Sequence, residues 1–131
     1  MNLPENDLPS DQPIFSGTWV NERGSRMILD QQGATVRGSY VTQIGNDKVV
    51  RQEHPIIGFA NGTSIGFVVS WPAALSLTSW VGRLEFDAHS KPKLHTMWHL
   101  VRPASESDPS KPLQIWESFL TNSSVFERVN E

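Results

Sequence analysis

The 131-residue chain has no cysteine, which excludes a disulfide framework, a thiolate metal site and a cysteine nucleophile. Exported proteins can also lack cysteine, so this leaves the compartment open. Positive charge is scarce too: 11 Lys and Arg stand against 14 Asp and Glu, a net charge of -3 spread without long runs. Such a balance offers no electrostatic footprint for nucleic acid or for an anionic membrane, and neither partner is expected. No apolar stretch approaches the roughly 20 residues needed to cross a bilayer. The opening segment MNLPENDLPS lacks the basic and apolar regions of a secretory signal, so the chain reads as soluble, and as secreted or periplasmic only if a signal has been removed. A sustained helical stripe is missing as well. The length suits one domain around one hydrophobic core.

Tryptophan, by contrast, is abundant for so short a chain: Trp19, Trp71, Trp80, Trp98 and Trp116. Taken singly, each reads first as core filler; placement has to decide. Residues 1–13 are polar and proline-rich and read as a loose arm, with a single domain over 14–131. Beyond the arm the runs are strand-length and rich in β-branched and aromatic residues: GTWVNERGSRMIL, TVRGSYVT, KVVRQEHPIIGF, TSIGFVVSW, LTSWVGRLEF, KLHTMWHLV and WESFLTNSSVFERV. Turn signals separate them, namely DQQGA, the IGN segment, Ala60-Asn61-Gly62, Trp71-Pro72-Ala73, Asp87 to Pro92 and Pro103 to Pro112. Splitting the first run at Gly24 yields eight short strands with hairpin-length connections, the pattern of an all-β, antiparallel up-and-down barrel or a sandwich.

Side chains two apart on a strand share a face. One face of each run then carries Trp19, Asn21 and, beyond Arg23, Ser25; Val36, Gly38, Tyr40 and Thr42; Phe67, Val69 and Trp71; Ser76, Thr78, Trp80 and Gly82; Thr96, Trp98 and Leu100; Leu120, Asn122, Ser124 and Phe126. These faces mix aromatics with short hydroxyl and amide side chains. An unpaired buried polar group costs about 1–3 kcal/mol, so an ordinary core avoids that mixture. A pocket lining, whose polar groups serve a ligand's atoms, requires it.

The same residues carry a resemblance. GTWVNERGS, GSYVTQIGN, GFVVSW, LTSWVG, TMWHL and the W-x-S-x-L and F-x-x-V of the last run resemble, in order and with compatible spacing over about residues 15–129, the strand motifs of the avidin and streptavidin family. The resemblance implies a streptavidin-like eight-stranded antiparallel barrel that binds biotin without catalysis. It places Asn21, Ser25 and Tyr40 as three donors around the ureido oxygen of biotin, with Thr42 accepting from one ureido NH. For the other NH the family has an aspartate or asparagine on the last strand, and here that position is Ser124. A hydroxyl lacks the carboxylate's charge, and charge-assisted hydrogen bonds are roughly twice as strong as neutral ones. Asn122 on the same face is the alternative acceptor. Thr78 matches the hydroxyl that meets the thioether sulfur, and Trp71, Trp80 and Trp98 match the aromatic walls, with Leu100 and Ile44 adding apolar surface. Asn46 falls in the loop whose backbone NH meets the ligand carboxylate, and Ser76 matches a hydroxyl at the same end; the loop QIGNDK is a candidate lid. Arg23 stands where the streptavidin pattern has an apolar residue and is expected to face water, and the connection from Trp71 to Ser76 is short for the family.

Trp116 matches the tryptophan that tetrameric members lend to a neighbour's site, so a homotetramer is favoured over a dimer. The outward set His95, Met97 and His99 suits an interface, and without a third ligand nearby in sequence it is no metal site. No cofactor is implied beyond biotin as ligand. Nucleophile-elbow and metal-hydrolase motifs are missing, and His54 is the one histidine that the pattern leaves room for on an inward face. The rival function is a related barrel for another small molecule, or a protein-binding inhibitor of the same fold. The triplets Asn61-Gly62-Thr63 and Asn122-Ser123-Ser124 match the glycosylation acceptor pattern, but such triplets are common by chance and the second lies on a strand expected to be buried.

Overall fold

The computed structural model describes residues 13–44, 50–104, 108 and 110–129, with the backbone alone at 43, 44, 50 and 51. Residues 1–12 of the expected arm lie outside this set. The strands are β1 (Gly17–Asn21), β2 (Arg26–Gln32), β3 (Thr35–Ile44), β4 (Val50–Asn61), β5 (Ser64–Trp71), β6 (Ser76–Phe86), β7 (Pro92–Val101) and β8 (Phe119–Val129). Each pairs antiparallel with the next, and β1 pairs with β8 to close the barrel. Closure removes every unpaired sheet edge, a row of backbone donors and acceptors that would otherwise invite pairing with another chain. Of the barrel and the sandwich that eight strand-length runs left open, the up-and-down barrel implied by the family resemblance is the one observed. Gly24 divides β1 from β2 with φ +82°, a value that favours glycine, in the turn where the pattern placed a break.

Alternation decides what lies inside. On β2 and β5 every second residue is buried, giving Met27, Leu29 and Gln31 on one and Ile65, Phe67 and Val69 on the other. Phe15, Trp19, Leu84, Leu94 and Phe126 join them in a continuous core. Each large apolar side chain withdrawn from water contributes about 1.5–3 kcal/mol. Neighbouring strands approach so closely that two inner positions admit only glycine. A Cβ on Gly38 would strike the Ile28 carbonyl oxygen across the β2–β3 pair, and one on Gly58 would strike that of Gly66 across β4–β5.

One element differs from expectation. The run beginning at Trp116 is not strand from its start: Ile115–Glu117 form a 3-10 turn and β8 begins at Phe119. Local bonds explain this, because Glu117 N and the Ser118 hydroxyl both donate to the Gln114 carbonyl, at 2.9 Å each, and the turn satisfies itself before the ladder begins. β8 also outruns β1. The β1–β8 register joins Thr18–Asn21 to Phe126–Val129, so toward the other end of β8 the wall continues past the point where β1 has stopped.

Candidate functional site

The inward faces of the strands end in a cavity of about 550 Å³, within the usual range of small-molecule sites. Asn21 and Ser25 flank the β1–β2 turn, Tyr40 and Thr42 come from β3, Trp71 from the end of β5, Ser76, Thr78 and Trp80 from β6, Trp98 and Leu100 from β7, and Ser124 from β8. The fold therefore brings eleven of the fourteen expected residues to one surface. Of the rest, the Ile44 side chain and all of Asn46 lie outside the described residues. Trp116 lines no part of its own chain's cavity and stands 79% exposed on the 3-10 turn.

The polar members are oriented by the chain itself. Asn21 Oδ1 accepts from Arg23 N at 3.0 Å and Ser25 N at 2.9 Å, so its amide oxygen is committed to the turn and its NH₂ remains to serve as donor. Ser25 and Asn21 both act on the Tyr40 phenol, and the three side chains line the same cavity. Burial pushes the Tyr40 phenol above its ordinary value of 10.0; the bond from Ser25 and the charge of Arg23 oppose the rise without cancelling it. At neutral pH the phenol keeps its proton and can donate it.

Aromatic rings form the walls. Tyr40 stacks on Trp80 with centroids 5.1 Å apart, and Phe67 stacks on the same ring at 5.0 Å. Trp71 meets Tyr40 edge-on at 5.7 Å, and its Nε1 donates to Thr78 Oγ1 at 2.8 Å. That bond occupies the Thr78 oxygen as acceptor and leaves its hydroxyl proton for another partner.

Ser124 is 2% exposed, so the last-strand position does face the cavity. Asn122, the alternative acceptor, does not serve: it is exposed, lies outside the lining and accepts its neighbour's Ser123 N at 2.8 Å. Inward parity ceases to mean burial near the open rim, which also corrects the expectation that this end of the strand is buried. Arg23 is exposed as expected, yet it also borders the cavity, with its guanidinium 5.9 Å from the Trp98 ring centroid. His95, Met97 and His99 are exposed on the outer face, and His95 Nε2 lies 3.5 Å from Glu85 Oε2.

Four further residues line the cavity, among them His54, the histidine for which the strand pattern left room on an inward face. Gln52 and His54 share the parity of Ile56, Gly58 and Ala60 on β4, so alternation reaches both; His54 sits edge-on to Trp71 at 4.6 Å. Ala73 and Ala74 arrive through the 3-10 turn Pro72–Ala74, which no periodicity announces. Outside the lining, Glu22 touches Ser124 across 102 residues of chain, and no local signal could reveal it.

Residues 10–129 match the Avidin family. The chain belongs to that family. Among avidin relatives, afifavidin from Afifella pfennigii is 36% identical over 100 residues, covering 72% of this chain and 62% of its own length. The chain thus spans less than two thirds of that relative. Avidin-family structures share the barrel. The rhizavidin–biotin complex superposes with a TM-score of 0.71 at 26% identity, covering 88% of this chain and 93% of the other. Xenavidin gives 0.70 at 27% identity, covering 87% and 96%. Intact afifavidin in its apo form gives 0.68 at 30% identity, covering 88% and 82%.

Proposed function

We propose that this chain binds biotin, without catalysis, inside its barrel. The observation that carries this reading is the meeting of Asn21, Ser25 and Tyr40 in one aromatic-walled cavity. An amide NH, a hydroxyl and a protonated phenol around one oxygen draw a urea toward its charge-separated form. Because the turn and the stacked rings already hold these groups, little ordering remains to oppose binding. Thr42 accepts from one ureido NH and Ser124 from the other. Thr78, its oxygen engaged by Trp71, turns its proton toward the thioether sulfur. Trp71, Trp80, Trp98 and Leu100 enclose the ring and chain, and Ser76 serves the carboxylate end. A lipid-type binder would have apolar residues in place of the trio.

The outer surface supports a proposal about assembly. Ile57 and Val68 sit opposite each other on β4 and β5, as do Val81 and Met97 on β6 and β7, and all four are exposed. Neighbouring exposed apolar side chains of this kind mark association surfaces. The chain forms a homotetramer in which Trp116 covers a neighbour's cavity, with a dimer as the simpler alternative.

Thermal unfolding with and without biotin tests the reading. At a ligand excess of about 1,000 Kd, mass action adds about 4 kcal/mol, which for a domain this size raises Tm by roughly 10 °C or more. An unchanged Tm at saturating biotin, together with no heat on titration at several temperatures, would overturn it. Light scattering reads the assembly independently.

A further inference from the structure

The β1–β2 turn does more than present Asn21 and Ser25. Where β1 ends and β8 continues, the carboxylate of Glu22 fills the gap: Oε2 accepts from the Ser124 hydroxyl at 3.0 Å and from Val125 N at 3.2 Å. A side chain thereby stands in for the missing stretch of β1 ladder. Its second consequence concerns Ser124, which lines the cavity. We propose that Glu22 is a positioning residue of the biotin site, taking the Ser124 proton in a hydrogen bond and so fixing Ser124 Oγ as an acceptor for a ureido NH. This assignment presupposes biotin in the cavity.

The physical case rests on hydroxyl inventory. A serine has one proton and two lone pairs. Left to rotate, it would aim its proton into the cavity part of the time, toward a ligand group that is itself a donor. An ionised carboxylate has no proton to give, so in the Glu22–Ser124 pair the serine must donate, and its lone pairs are then free for the ligand. Partial burial works against the Glu22 charge, but bonds from its own NH, Ser124 and Val125, with the charge of Arg23 beside it, outweigh that and hold it below the ordinary 4.5. The donor direction is therefore set at neutral pH.

Both partners are held in place. Thr96 Oγ1 donates to the Ser124 carbonyl at 2.8 Å, which pins β8 to β7 at this residue. The turn carrying Glu22 is pinned by Asn21, through its Oδ1 bonds and through Gly24 N to the Asn21 carbonyl at 3.0 Å. One residue thus orients the donor trio and, through the turn, the acceptor on the opposite side of the ureido group. The arrangement also keeps the charge in the wall: Glu22 is exposed while Ser124 is buried, so a hydroxyl enters the cavity in place of a carboxylate with its large desolvation cost.

The test is a double-mutant cycle on the full chain, read by biotin titration or competitive displacement. Glu22→Gln keeps shape and can still accept from Ser124, but without charge, so biotin affinity is expected to fall about tenfold. In the Ser124→Ala background the same substitution is expected to cost less than about twofold, because the two residues act in series. Two biotin analogues, each methylated on one ureido nitrogen, add a readout that a merely structural role would not move: Glu22→Gln should spare the analogue that lacks the NH facing Ser124 and penalise the other. Moving the carboxylate onto the strand with Glu22→Gln plus Ser124→Asp should recover most of the loss, even if Glu22→Gln alone unsettles the turn. Equal losses in both backgrounds, equal penalties for both analogues, or no loss at all would overturn the role of Glu22. If the unmodified chain binds no biotin, the site reading falls, and this assignment with it; if the unmodified chain binds and Glu22→Gln binds equally, only the role of Glu22 falls.

Discussion

The two ends of this barrel are built from the same strands and differ in how their polar atoms are served. At the closed end, Trp19 Nε1 donates to the Phe15 carbonyl at 2.9 Å, Phe15 N to Gln31 Oε1 at 3.1 Å, and Gln31 Nε2 to the Gly33 carbonyl at 3.1 Å. Arg128 lies over Trp19, 4.6 Å from the ring centroid, and donates to the Ile14 carbonyl. These polar groups bond within the fold, with Arg128 Nε left buried and without a hydrogen-bond partner. At the open end the Asn21 oxygen and the Thr78 oxygen are likewise engaged, but the Asn21 NH₂ and the hydroxyls of Thr78, Ser25 and Tyr40 belong to residues that line the cavity. A barrel can thus hold its stability at one end and its recognition at the other, provided that each polar group is oriented by a neighbour before any ligand arrives.

That division predicts separable effects. The largest is at the closed end: Trp19→Ala removes a fully buried indole and should cost about 3–5 kcal/mol of stability, read as a lowered denaturant midpoint. A loss below about 1 kcal/mol would put the site outside the core, since values that small are typical of surface positions. Next comes Tyr40→Phe at the open end, expected to weaken biotin by about 10- to 100-fold for one lost hydrogen bond to a polarised oxygen. Its ligand-free midpoint should stay within about 1 kcal/mol of the parent; a large loss of stability would show that the trio supports the fold as well. Trp116→Ala probes neither end of its own barrel. It should speed biotin release about tenfold, the scale of a single buried interface anchor, while leaving the intrinsic fluorescence midpoint of the chain unchanged, and an unaltered release rate would remove Trp116 from the site.

The smallest effect is in pH. Glu22 is depressed below 4.5, so its contribution is complete above 4.5 and is lost as pH falls through the lower folded value. Biotin affinity should therefore hold down to about pH 5 and decline below 4.5. The charged and titratable groups nearby are Arg23 on the same turn and Lys93, His95, Glu127 and Arg128 from β7 and β8. Lys93 and Glu127 pair at 3.0 Å beside it, so Glu22→Gln is the control that must abolish the decline. A decline that survives in that variant assigns it elsewhere.

Much of this was legible in the chain. Strand periodicity is a local property, so inward sets such as Val36, Gly38 and Tyr40, or Thr78 and Trp80, could be grouped without coordinates, and the motifs that resemble avidins supplied the barrel in which they meet. The same pattern left room for His54 on an inward face, and the parity of Ile56 followed back along β4 reaches Gln52 as well. It failed at Asn122, because parity tells which way a side chain points and not how near the rim it stands. It failed too at Trp116, where side-chain and backbone bonds to Gln114 closed a turn that composition had read as strand.

Residue order was enough to set which side chains share a face, since that depends on a two-residue repeat and nothing distant. Which of those faces became dry plug and which became cavity, and that Glu22 meets Ser124, depended on where β1 stops beside β8. Such a meeting joins the first strand to the last, and its geometry exists only once the chain has closed on itself.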